Sequence, residues 1–158
     1  MTRLTLPYWF DFHAHVRQGP LLGTMIAAHR AMGCFGLLAM PNTKPPVAKV
    51  FEADELDYWS IESYYNQLLA AGADQFDDLI IPLYLTKDTT PAMIEAGAKA
   101  GLLRAAKYYP PHGTTGADFG YPFAEFLDNG VFQALADNNV TLCIHGEQHG
   151  LAAEDYFD

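Results

Sequence analysis

Two imidazoles one residue apart, His13 and His15, stand in Asp11-Phe12-His13-Ala14-His15-Val16-Arg17, just after the apolar run Pro7-Tyr8-Trp9-Phe10. Side chains on a β-strand alternate faces, so a strand here points both rings the same way and lets them share one cation. On a helix they would be about 200° apart, so the metal reading depends on a strand. The plainer alternative is one hydrogen-bonded core histidine and one loop histidine. Lys107 adds a second unusual group, because it sits inside the strand-like stretch Leu103-Arg104-Ala105-Ala106-Lys107-Tyr108-Tyr109. Such a lysine either reaches solvent from an edge strand or is a desolvated amine, its pKa lowered, available for covalent modification or metal work. His145, opening His145-Gly146-Glu147 after another apolar run, taken alone reads as a satisfied interior imidazole. Taken together on one rim in chain order, the four residues make the plain readings jointly improbable.

The elements that must position them follow from periodicity and punctuation. Leu22, Met25, Ile26, His29 and Met32 recur at three- and four-residue steps, which predicts a helix over 21–32 ended by Gly33. Cys34 to Ala39 is apolar on both faces, as a buried parallel strand requires, and Met40-Pro41-Asn42-Thr43-Lys44-Pro45-Pro46 closes it. A helix is expected from about Phe51 to Leu69, and a third strand from Leu79 to Leu85 is interrupted by Pro82. Thr90-Pro91 supplies an N-cap and a first-turn proline for a helix through Ala100. Leu102 to Tyr109 is a fourth strand, and a Gly- and Thr-containing loop runs to Pro122. One helix ending near Asn138-Asn139 and a fifth strand over Val140–His145 complete the pattern.

Strands alternating with helices at this spacing predict right-handed crossovers and a parallel sheet. A five-stranded doubly wound sheet and the first part of a (β/α)₈ barrel both fit; length favours the former and the residues the latter. In either, ligands bind at the C-terminal strand ends, where His13, His15, Arg17, Asn42 and His145 fall. The chain lacks a Gly-x-Gly-x-x-Gly or Walker loop after its first strand, which argues against nucleotide ligands.

Composition narrows the partners. Half of the 158 residues are hydrophobic and 18% charged, as in a folded domain. Nineteen acidic residues against nine scattered Lys and Arg give a net charge of −10. That leaves no basic stripe for nucleic acid or an anionic membrane surface. No cationic leader or 18-residue apolar run is present, so a cytoplasmic setting is expected. Cys34 and Cys143 each fall in an expected strand and read as reduced core residues, neither a bridge nor a metal clip.

His13-Ala14-His15, Met40-Pro41-Asn42-Thr43-Lys44-Pro45-Pro46-Val47, Leu83-Tyr84-Leu85-Thr86, Ala106-Lys107-Tyr108-Tyr109-Pro110 and His145-Gly146-Glu147 together resemble the short, single-domain bacterial and fungal dihydroorotases of the amidohydrolase superfamily. The resemblance spans essentially the whole chain and covers the family's first half. It implies a TIM-type (β/α)₈ barrel truncated to about its first five strands, in one unit over 1–158. It implies two Zn²⁺ per complete site, with His13 and His15 on the more buried ion and His145 on the second. Lys107, carboxylated by CO₂ to a carbamate, would bridge them. Arg17 and Asn42 would hold the substrate carboxylate, and Thr114 and Thr115 would lie on a closing loop. The implied reaction is the zinc-dependent, reversible hydrolysis of dihydroorotate to N-carbamoyl-L-aspartate in pyrimidine biosynthesis.

These roles suit the chemistry of the residues. A carbamate replaces an ammonium with an anionic oxygen donor, and a metal pair both polarises an amide carbonyl and lowers the pKa of a bridging water. The Arg17 fork matches a carboxylate. A further His and an Asp general base, which the family carries on its sixth and eighth strands, have no counterpart here, and Glu147, Glu154, Asp155 and Asp158 do not take their places. The chain alone is therefore expected to turn over little dihydroorotate. Alternatives are a related cyclic amidohydrolase (hydantoinase, dihydropyrimidinase or allantoinase) and a non-catalytic partner-binding subunit. A homodimer is left open. His29, at core spacing, and His112 and His149, in loops, are not expected to be ligands.

Overall fold

The computed structural model describes Thr5 and residues 7–111 and 116–146. Strand β1, Trp9–Ala14, leads through a short 3₁₀ turn into α1, Leu22–Ala31. Leu22, Ile26 and His29 form the buried stripe of α1, and Gly33, at φ +83°, turns the chain into β2, Cys34–Ala39. β2 pairs in parallel with β1 on one side and with β5, Asp78–Ile80, on the other. Gly36 is required in that central strand: a Cβ there would lie 2.5 Å from Phe10 Cε2 and 2.8 Å from the Asp78 carbonyl oxygen.

Pro82 decides where the sheet divides. It has no N–H to give a ladder, and the expected third strand becomes β5 and, past the proline, β6, Leu83–Tyr84. β6 joins a second parallel sheet with β7, Ala105–Tyr108, and β8, Thr141–Ile144, in the order β6-β7-β8. The strands are parallel and follow chain order as expected, but among the described residues they form separate sheets rather than one continuous sheet. The hydrophobic core lies between these strands and their helices, and includes Leu37, Leu68, Leu83, Leu85, Ile94 and Phe126.

Two expected helices are corrected. Residues 51–58 form turns, because their backbone is engaged elsewhere. Lys49 Nζ donates to the Glu52 and Asp54 carbonyls at 3.2 and 3.0 Å, and Asp54 Oδ2 accepts from Phe51 N–H at 3.0 Å. Trp59–Ser60 is instead a short strand, β4, parallel to β3, Val47–Lys49. Ser60 Oγ then caps α2, Ile61–Ala70, by accepting from Ser63 N–H at 2.8 Å. The helix expected before residue 139 is two, α4 over Phe123–Asp128 and α5 over Val131–Asp137, parted at Gly130, φ +80°. Between them and β6 lies α3, Pro91–Lys99, capped as expected by Thr90 Oγ1 accepting from Met93 N–H at 3.2 Å. Cys34 and Cys143 are free thiols. No helix among the described residues is long and apolar enough to cross a membrane.

Candidate functional site

Strand β1 carries a bulge between Asp11 and Ala14. Asp11 pairs with Leu37 and Ala14 with Ala39, so three steps on β1 match two on β2. Strict alternation would point Asp11 and His13 to one face; the extra residue lets them part. Asp11 bonds to His29 of α1, whereas His13 turns to His15.

The two imidazoles meet as the spacing predicts. His13 Nε2 and His15 Nε2 are 3.2 Å apart, with ring centroids 5.0 Å apart. His15 Nδ1–H donates to Asn42 Oδ1 at 2.9 Å, which leaves the lone pair of the neutral ring on Nε2, facing His13. A tetrahedral Zn²⁺ with bonds of about 2.0–2.1 Å places adjacent nitrogen donors roughly 3.3 Å apart, so the pair fits one edge of such a site. Both rings favour the neutral, ligating form. Burial lowers the pKa of His13 first, then the Lys107 ammonium; burial lowers that of His15, then the Arg17 guanidinium and His13.

Lys107 is on β7, 2% exposed, so the edge-strand alternative does not hold. Its Nζ lies 5.1 Å from the centre of the Tyr109 ring, which on its other contacts stands 5.9 Å from the His145 ring. Burial lowers the Lys107 pKa, opposed by neighbouring Cys143, which pairs with it in register on β8. Desolvation thus favours the neutral amine, the only nucleophilic form of a lysine. His145 follows β8, held through its backbone N–H to the Tyr108 carbonyl at 3.0 Å, and its charge also bears on His13. Among the described residues, no three His, Cys, Asp or Glu side chains gather closely enough to hold an ion.

Arg17 lies past β1 with its side chain exposed and its backbone left-handed, φ +62°. Its carbonyl accepts the hydroxyl of fully buried Tyr64, from α2, at 2.7 Å. Asn42 is 5% exposed, and its expected role gains a second part, because its Oδ1 is engaged by His15. Gly116, at φ +80°, comes within 3.3 Å of Asn42 when a Cβ is built on it, so the loop from Pro110 returns beside the site. Thr114 and Thr115, like His112, Glu147 and His149, lie outside the described residues.

Sequence reasoning missed three supporting residues. Asp11 takes His13 N–H on Oδ1 at 2.8 Å. Tyr64, read as part of an apolar helix face, holds Arg17. Tyr109, read as a strand residue, walls Lys107 and His145. The Tyr64 signal, a polar tip on an otherwise apolar stripe, is present in the sequence, but its partner 47 residues away is not.

This is an α/β protein of parallel strands in which His13, His15, Arg17, Asn42 and His145 follow the C-terminal ends of strands, and buried Lys107 bears electrostatically on His13 and His15. No family model matches the chain. The chain is similar to dihydroorotases in sequence and in fold. It is 35% identical over 148 residues to the dihydroorotase of Acaryochloris marina and 36% identical over 159 residues to that of Shewanella amazonensis. The matches cover 93% and 100% of this chain, but 40% and 43% of those relatives, so it spans about two-fifths of their length. The crystal structure of dihydroorotase from Saccharomyces cerevisiae in complex with 5-fluoroorotic acid aligns at a TM-score of 0.78 and 27% identity, over 92% of this chain and 38% of that one. Dihydroorotase from Campylobacter jejuni, at 21% identity and TM-score 0.72 over 92% of this chain and 39% of that one, shares the fold.

Proposed function

We propose that this chain carries the ligand-bearing part of a dihydroorotase, a zinc-dependent hydrolase that reversibly opens the cyclic amide of (S)-dihydroorotate to N-carbamoyl-L-aspartate in pyrimidine biosynthesis. The fold is then the first five strands of a (β/α)₈ barrel, in the cytoplasm and with a small molecule as substrate. A homodimer is compatible with it. The observation that carries the reading is the 3.2 Å approach of His13 Nε2 and His15 Nε2, with the charge of buried Lys107 bearing on both rings.

In this reading His13 and His15 hold one Zn²⁺ and His145 the second. Lys107, if carboxylated by CO₂ with loss of a proton, would offer anionic oxygen donors to both ions in place of an ammonium. When bound, the metal pair supplies Lewis acidity at the amide carbonyl and a water acidified toward neutral pH. The chain's own residues do the rest. Partial desolvation lowers the pKa of both imidazoles, which favours the neutral form that donates a lone pair. Asn42 fixes the His15 tautomer through Oδ1, so its part toward the substrate carboxylate falls to the Nδ2 amide. Arg17 offers a bidentate fork to that carboxylate. Thr114 and Thr115 keep the part the resemblance gives them, on a loop that would close over the substrate.

Metal content and ligand binding test this directly. Chain purified with zinc should hold it in stoichiometric amount, lose it in His13→Ala and in Lys107→Ala, and bind dihydroorotate in preference to hydantoin, which has no carboxylate. Zinc content unchanged in both variants would sink the proposal. Preference for hydantoin would move the function to the cyclic amidohydrolases that act on uncharged rings.

A further inference from the structure

His29 was the one histidine of the N-terminal helix that its spacing assigned to the core, and it is indeed 7% exposed. Burial alone does not account for its bonds. Its Nδ1–H donates to the Met25 carbonyl of its own helix at 2.8 Å, which locks the ring's orientation on α1. Its Nε2 then meets Asp11 Oδ2 at 3.0 Å. Both ring nitrogens thus lie within hydrogen-bond distance of an oxygen, one on α1 and one on β1. Asp11 divides its carboxylate: Oδ2 to His29, Oδ1 to the backbone N–H of His13 at 2.8 Å.

That second bond falls at the bulge, where the ladder to β2 skips between Asp11 and Ala14. A bulge leaves an amide without its ladder partner, and an amide so released swings freely unless another acceptor takes it. The Asp11 carboxylate takes it at the residue whose ring must meet His15. The carboxylate is itself held at the far side by a ring that a helix has already oriented. A helix, a carboxylate and a strand backbone thus form one continuous support, ending at His13.

We propose that His29 is a positioning residue for the metal-binding pair, acting through Asp11 to fix the backbone at His13. The inference rests on the reading of His13 and His15 as metal ligands. Outer supports of this kind, when removed, lower metal affinity by roughly 10–100-fold.

Co²⁺ titrated into the full chain, followed by its visible d–d absorption, tests the proposal without calling on turnover. His29→Leu should weaken Co²⁺ binding by roughly 10–100-fold and change the intensity of the bands, with the far-ultraviolet dichroism unchanged. His29→Gln, whose amide places a donor near the position of Nε2, should restore most of the affinity. Wild-type affinity and spectrum in folded His29→Leu, with binding abolished in His13→Ala, would overturn the positioning role and leave the ligand reading intact. Binding unchanged in His13→Ala would overturn the ligand reading itself. If His29→Leu does not fold, Asp11→Ala carries the test, because it removes the acceptor of His13 N–H together with the partner of His29. A folded Asp11→Ala chain should bind Co²⁺ more weakly, and wild-type affinity in it would overturn the proposal.

Discussion

Asn42 Oδ1 lies 2.9 Å from His15 Nδ1, and this bond settles which nitrogen of His15 is free to face His13. The two residues come from different strand ends, 27 positions apart. Asn42→Ala should therefore lower the affinity for Zn²⁺ by roughly 10–100-fold, because the ring loses its fixed tautomer and orientation. Competition with a chromophoric chelator measures it; unchanged affinity would place Asn42 outside the ligand support.

Lys107 gives a pH signature in the metal-free chain. Its folded pKa lies below its ordinary 10.5, chiefly through burial, so folding disfavours its charged form. The penalty is fully present below the folded pKa and is relieved as pH rises from there toward 10.5, where the unfolded chain also loses the proton. Lys107→Met should thus be more stable than the parent in urea with chelator at neutral pH, and the difference should shrink as pH rises through that window. An advantage independent of pH would show that Lys107 carries no buried charge.

Tyr64 and Arg17 make a second pair of support and site. Tyr64→Phe removes the hydroxyl that holds the left-handed Arg17 and leaves its ring in place. A stability loss of about 1 kcal/mol is expected from the lost hydrogen bond. Dihydroorotate binding, measured by calorimetry on the zinc-loaded chain, should weaken with it. A stability loss with binding unchanged would separate Tyr64 from the carboxylate fork.

Gly36 tests the sheet. Alanine there sets a methyl against Phe10 and the Asp78 carbonyl, which belong to the strands on both sides of β2. Overpacking at such a site costs typically 1–3 kcal/mol or more, and the urea midpoint should fall accordingly. A midpoint within error of the parent would mean that β1 and β5 yield easily around β2.

The sequence by itself determined the alternation of strands and helices, the parallel pairing and the strand that brings His13 and His15 to one side. These are local properties: period-two and period-3.6 patterns, a Thr-Pro helix start, a proline that stops a ladder. It also displayed Lys107 as a cation inside an apolar strand. The structure decided that residues 51–58 turn rather than coil into helix, because the Lys49 and Asp54 side chains claim backbone groups three to five positions away, a competition that the apolar spacing does not record. It alone decided the bulge that sends Asp11 to His29 and parts it from the His13 ring, since alternation read from sequence assigns Asp11 and His13 to one face. It alone joined Asn42 to His15 and Tyr64 to Arg17. Those bonds depend on distances between strand ends and helices that no local pattern encodes, and they are what hold the histidine pair and Arg17 in place.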